Sequence, residues 1–168
     1  MREMTERKRR KITGILLLVT LLTAILAAGA VCADHHRHFD HAVSIQKVPA
    51  DDLARLDSLA WAVETAEVGE YIDITGWALP LGRKLDYDLQ VGLYRKDTGN
   101  FIGMTTFFQQ RKDINRQYGT GRYSYLYCGF QSRIRADQVE RGVYSVMLIF
   151  GKNKFYDTGY QITVGGRN

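Results

Sequence analysis

All four histidines of the 168-residue chain fall at His35, His36, His38 and His41, with Asp34 and Asp40 among them. Neutral imidazoles and carboxylates are ordinary ligands for zinc, nickel or copper. In an extended chain His36 and His38 project to the same side, and on a helix His38 and His41 meet. Such a tract binds metal weakly without any fold. A site without a rigid scaffold is seldom specific, so the tract reads first as a solvated stalk that gains charge below about pH 6.5. No cofactor is expected.

The second constellation is Arg122-Tyr-Ser-Tyr-Leu-Tyr-Cys-Gly-Phe130. Read as a strand, its period of two puts Tyr123, Tyr125 and Tyr127 on one face and Leu126, Cys128 and Phe130 on the core face. Arg111, Lys112, Arg116, Arg133 and Arg135 lie nearby in sequence. Tyr and Arg are enriched at the energetic centres of interfaces. Aromatic faces suit stacking on sugar rings, and guanidinium suits carboxylate or phosphate. Tyr123, Tyr125, Tyr127, Arg111, Arg122 and Arg133 are therefore the candidate ligand- or partner-binding residues. The competing reading is that tyrosine is a good strand former that covers a sheet with its ring.

Catalysis is poorly provided for. No histidine follows His41, so a Ser–His or Cys–His nucleophile pair cannot be assembled in the bulk of the chain. Cys128 falls on an apolar strand face, the wrong setting for a thiolate. Asp73, Asp86 and Asp88 suggest a carboxylate pair or a calcium site, but Asp73 and Asp88 occupy polar strand positions and no calcium-loop pattern is present. Gly119-Thr-Gly121 lacks the Lys-Ser/Thr of a phosphate loop. No enzymatic activity is expected.

These side chains need elements to hold them. Ile12 to Val31 is an apolar run of 20 residues preceded by Arg7, Lys8, Arg9, Arg10 and Lys11. As a helix it is about 30 Å long, the thickness of a bilayer's hydrocarbon core. The cations upstream stay in the cytoplasm, which sends the rest of the chain to the far side. A cleaved signal peptide and lipidation of Cys32 are the rivals; the run is longer than the roughly 7–15 residues of a signal core, which favours an uncleaved anchor.

The net charge of +5 invites a nucleic-acid partner, but residues 1–33 carry +4 of it and residues 34–168 only +1. No nucleic-acid module accompanies it, and no nucleic-acid partner is expected. Residues 34–100 carry −5 and residues 101–168 carry +6, which leaves either a charged dipole or, as preferred, strands of the two halves interleaved.

Past the histidine tract, Pro49 with Asp51, Asp52, Leu53 and Leu56 predicts a short helix, although Leu59 to Val63 reads equally as the start of a strand. From Trp61 onward the dominant period is two. Tyr71 to Leu79, Asp88 to Arg95, Phe101 to Phe108, Arg122 to Phe130, Val143 to Phe150 and Tyr156 to Val164 are the predicted strands, with hairpins at Asp97–Asn100 and Gly151–Lys154. Short strands separated by turns describe an antiparallel sandwich.

The order Ile72-x-Ile74-x-Gly76-Trp77-Ala78, Arg111-x-Asp113-Ile114, Gly129-Phe130, Gly142-x-Tyr144-x-Val146-x-Leu148 and Tyr156-x-Thr158-Gly159 resembles the small immunoglobulin-like modules of bacterial cell-surface proteins, some of them attached to enzymes of wall-glycan or surface-polysaccharide synthesis. The resemblance runs from about Leu59 to Val164 and implies a two-sheet binding or scaffolding unit with no catalytic residues to transfer. Trp77 and Phe130 are expected between the sheets, and Gly76 at a close backbone approach or a bulge.

The expected protein is all-β: a single immunoglobulin-like antiparallel sandwich of about seven strands after one transmembrane helix. Residues 1–11 form the cytoplasmic basic segment, 12–33 the signal anchor, 34–58 a His-rich juxtamembrane linker with a short helix, and 59–168 the extracytoplasmic sandwich. The expected role is a single-pass, membrane-anchored module at the cell membrane, contacting a protein partner or a surface polysaccharide without catalysis. One alternative is an accessory subunit of a membrane complex recognised through the helix, where Ala24, Ala27, Ala28, Gly29 and Ala30 allow close approach. The other is a surface metal-binding protein using His35, His36, His38 and His41.

Overall fold

The computed structural model describes residues 16–28, 42–54, 56–151 and 154–165, and the chain divides into two units, Met1–His38 and Phe39–Asn168. In the first unit residues 16–28 form a helix, α1, whose side chains are exposed. Among the described residues no helix is long and apolar enough to cross a membrane. The remainder of the predicted anchor at 12–33 lies outside the described residues.

Among its described residues, the second unit holds nine strands in two sheets. They are β1 (Ser44–Lys47), β2 (Leu59–Val68), β3 (Tyr71–Pro80), β4 (Leu89–Arg95), β5 (Asn100–Gly103), β6 (Thr105–Gln109), β7 (Gly129–Arg135), β8 (Gly142–Phe150) and β9 (Lys154–Val164). One sheet runs β1-β5-β4-β8-β9 and the other β2-β3-β7-β6, with every named strand pair antiparallel. The all-β sandwich expected from the alternation is present.

The alternation dictates which side chains meet between the sheets. On β3, Ile72, Ile74 and Ala78 are buried, while Tyr71, Asp73, Thr75 and Trp77 are half-buried on the outer face. On β4, Leu89, Val91 and Leu93 point inward and meet Phe130, Ile134, Val146 and Leu148 in one apolar cluster. Phe130 is a core filler as expected. Trp77 is not: it pairs across the sheet with Gly129 on the outer face and packs on Tyr118, ring centroids 5.7 Å apart.

Three departures from the expected layout have physical causes. The Phe101–Phe108 run is two strands in different sheets. Buried Met104 lies between them, and its N–H donates to Val91 O at 2.9 Å, which carries the chain across the sandwich. Residues 44–54, expected as linker, fold onto the five-stranded sheet. There β1 pairs with β5, and Val48 and Leu53 cover a second apolar cluster of Tyr94, Phe101, Met147, Ile149 and Phe155. The helix expected at Pro49 is a single 3₁₀ turn, Ala50–Asp52, because Leu53 bridges Phe155 and the Ala54 N–H donates to Phe155 O at 2.7 Å, which draws the chain out straight.

The two oppositely charged halves are interleaved. Glu64 pairs with Arg111 at 2.8 Å, Asp73 with Arg133 at 2.5 Å, Arg95 with Glu140 at 3.2 Å and Lys96 with Asp157 at 2.9 Å. Asp157 is the least exposed of the four acids. Burial pushes its pKa up, but hydrogen bonds from the Ser145 hydroxyl, Lys96 and the Gly159 N–H outweigh that and hold it below the ordinary carboxylate value. A carboxylate depressed in the fold contributes stability above its unfolded pKa of about 3.9 and loses it as pH falls through the folded value. Unfolding by urea across that range is expected to show a shallower acid loss of stability in Asp157→Asn. Coincident pH curves for the variant and the parent would show that Asp157 plays no part.

Candidate functional site

The segment that carries the tyrosines is not a strand. After β6 the chain forms a short helix, α2 (Lys112–Tyr118), with Ile114 buried and the Gly119 N–H donating to Asn115 O at its end. The backbone that follows is held by side chains and a turn. Thr120 Oγ1 accepts from the N–H groups of Arg122 and Tyr123, Asn115 Oδ1 accepts from Tyr125 N–H at 2.7 Å, and Cys128 N–H donates to Tyr125 O at 3.2 Å. Without a ladder partner the period of two has no meaning here, and the tyrosines separate.

Tyr125 is core, 2% exposed, with its hydroxyl donating to Arg83 O at 2.9 Å. Tyr123 is half-buried against the same core, and the Arg122 guanidinium lies 5.3 Å from its ring centroid. Tyr127 alone is exposed, at 39%, and its hydroxyl accepts from Gln110 Nε2 at 2.7 Å.

The arginines are occupied. Arg111 bridges Glu64 on β2 and Asp113 on α2 at 2.8 and 2.7 Å, and its stem lies over Gly129. Asp113 is lowered to about 2 by the hydrogen bond from Arg111. Arg133 pairs with Asp73 and sits 5.1 Å from the Tyr71 ring centroid. Asp73 is thus committed to an ion pair rather than to a carboxylate pair with Asp86 or Asp88.

Cys128 is a free, buried thiol whose pKa burial pushes up to about 11, so it stays protonated at neutral pH. His35, His36, His38 and His41 lie outside the described residues. Among the described residues no cluster of His, Cys, Asp or Glu could hold a metal ion.

What the fold brings together is a different aromatic group. Tyr87, in the connection between β3 and β4, meets Phe108 at the end of β6 (centroids 6.0 Å, 84° between planes) and Tyr127 before β7 (6.1 Å, 69°). Both contacts are edge-to-face, the favoured geometry for such rings. Tyr87 is 53% exposed and adopts φ of 53°, the only positive φ among the described non-glycine residues. Backbone held in that region costs about 1–3 kcal/mol and persists where the surroundings impose it, often at binding sites.

Comparison with known proteins finds no match: no family model, no curated protein and no solved structure. The site is therefore read from its own chemistry. Tyr87 and Tyr127 present ring surface and hydroxyls, and Gln110 adds an amide, with Phe108 behind them. In sequence the only trace of this group is Tyr87 between Asp86 and Asp88 in a turn-rich stretch. Its partnership with Phe108 and Tyr127 depends on the loop packing.

Proposed function

We propose that this chain is a membrane-anchored, extracytoplasmic, immunoglobulin-like module that binds a cell-surface glycan at one loop end of its sandwich and catalyses no reaction. The carrying observation is the Tyr87–Phe108–Tyr127 group. Exposed aromatic rings pack against the C–H faces of sugars, and the hydroxyls and amide beside them exchange hydrogen bonds with sugar hydroxyls.

Strand order supports the immunoglobulin-like reading. Lettered from β2 as strand A, the sheets run A-B-E-D and C′-C-F-G, with β1 added beside C′. At the turn into β8, the Tyr144 hydroxyl donates to Glu140 O at 2.8 Å, matching the tyrosine corner of such domains. The anchor reading rests on the apolar run behind its five cations. Within α1 the hydroxyls of Thr20 and Thr23 donate to carbonyls of the preceding turn, Leu16 O and Val19 O, at 3.1 and 3.0 Å, which leaves them satisfied in a medium without water.

The test is retention of the detergent-solubilised full chain on immobilised polysaccharides, wild type against the Tyr87→Ala/Tyr127→Ala double variant. Loss of two stacking contacts is expected to weaken retention about tenfold or more. Equal retention of the two proteins would overturn the glycan reading.

A further inference from the structure

The same loop end carries charge that the aromatic group does not use. Arg83, Lys84, Asp86 and Asp88 from the β3–β4 connection and Lys154 at the start of β9 line a cleft of about 160 Å³ floored by Phe150. Among the described residues, neither Arg83, Lys84 nor Lys154 makes a side-chain ion pair. That sets them apart from Arg95, Lys96, Arg111, Arg133 and Arg135, all of which are engaged with acids. Three cations, two from the β3–β4 connection and one from the first residue of β9, converge on one cleft, and Tyr87 stands between the two acids that line it.

We infer that this cleft selects an anionic polysaccharide, one bearing carboxylate or phosphate groups, an assignment that rests on the glycan reading above. Arg83, Lys84 and Lys154 meet the polymer's anionic groups. Asp86 and Asp88 accept hydrogen bonds from its hydroxyls, and Tyr87 with Tyr127 packs on the sugar faces. An uncharged glycan could use only the second and third of these contacts. A polymer of repeating anions engages the cations without requiring one fixed register, and a cleft open to solvent makes that attraction sensitive to salt.

The experiment measures binding of the full chain in detergent to polygalacturonate, to a glycerol-phosphate polymer and to neutral dextran. Wild type is compared with the Arg83→Gln/Lys84→Gln/Lys154→Gln triple variant and with the double tyrosine variant. The triple variant is expected to bind one or both anionic polymers about tenfold more weakly, with dextran binding unchanged. Raising salt from about 0.01 M to about 0.15 M, which shortens the Debye length from about 30 Å to about 8 Å, is expected to weaken wild type and leave the triple variant nearly unaffected. Which anionic polymer is lost tells carboxylate from phosphate. If the triple variant binds both as wild type does, the charge inference is overturned while the glycan reading stands. If the tyrosine variant also binds all three unchanged, both fail.

Discussion

Tyr125→Ala is expected to lower the unfolding free energy by about 3–5 kcal/mol, the cost of emptying a large buried aromatic site. That is a large share of the roughly 5–15 kcal/mol that holds a domain of this kind together. Tyr125 is 2% exposed and its hydroxyl is bonded to Arg83 O, so Tyr125→Phe should lose only about 1 kcal/mol. Tyr127→Ala, two residues on and exposed, should change stability by no more than about 0.5 kcal/mol. Urea unfolding followed by the fluorescence of Trp61 and Trp77 measures all three. The ranking separates a core residue from a surface one within a single tripeptide. Tyr125→Ala and Tyr127→Ala variants of equal stability would contradict the burial pattern.

Gly76→Ala is expected to destabilise by about 3 kcal/mol, at the upper end of what one added methyl costs in a packed core. A Cβ at Gly76 would stand 2.1 Å from Ala62 O and 2.8 Å from Phe130 Cζ. The first of these is backbone, so relief requires β2 and β3 to part near the bulge between Val63 and Thr65. Gly121→Ala is the control, because nothing lies within 4 Å of the position its Cβ would take. Its stability should stay within about 0.5 kcal/mol of the parent. A tolerated Gly76→Ala would mean that the β2–β3 pairing is looser than its register indicates.

Much of the architecture was legible in the residues because strand periodicity is a local property. Ile72 and Ile74 against Asp73 and Thr75 decide a face without reference to anything distant, and so do Leu89, Val91 and Leu93. Gly99 and Gly151, both at φ of 69°, mark hairpins that two short stretches announce. The same rule misled over Arg122–Cys128, the part of that run ahead of β7. There the alternation of Tyr with Ser, Leu and Cys is real, but no strand offers it a ladder. Asn115 and Thr120 satisfy the backbone instead, and alternation without a sheet carries no information about faces.

The apolar run with its cations, the absence of histidine from the sandwich and the β-period of the remainder follow from the amino-acid order alone, since composition and local spacing suffice for them. The tertiary structure decided that Tyr125 is core and Tyr127 is surface, that Trp77 faces outward, and that Val48 and Leu53 cover the far side of the five-stranded sheet. It also decided that Tyr87, Phe108 and Tyr127 touch. Each of these depends on which segments meet across the sandwich or at its loops. Such meetings are set by long-range packing, which no local pattern along the chain encodes.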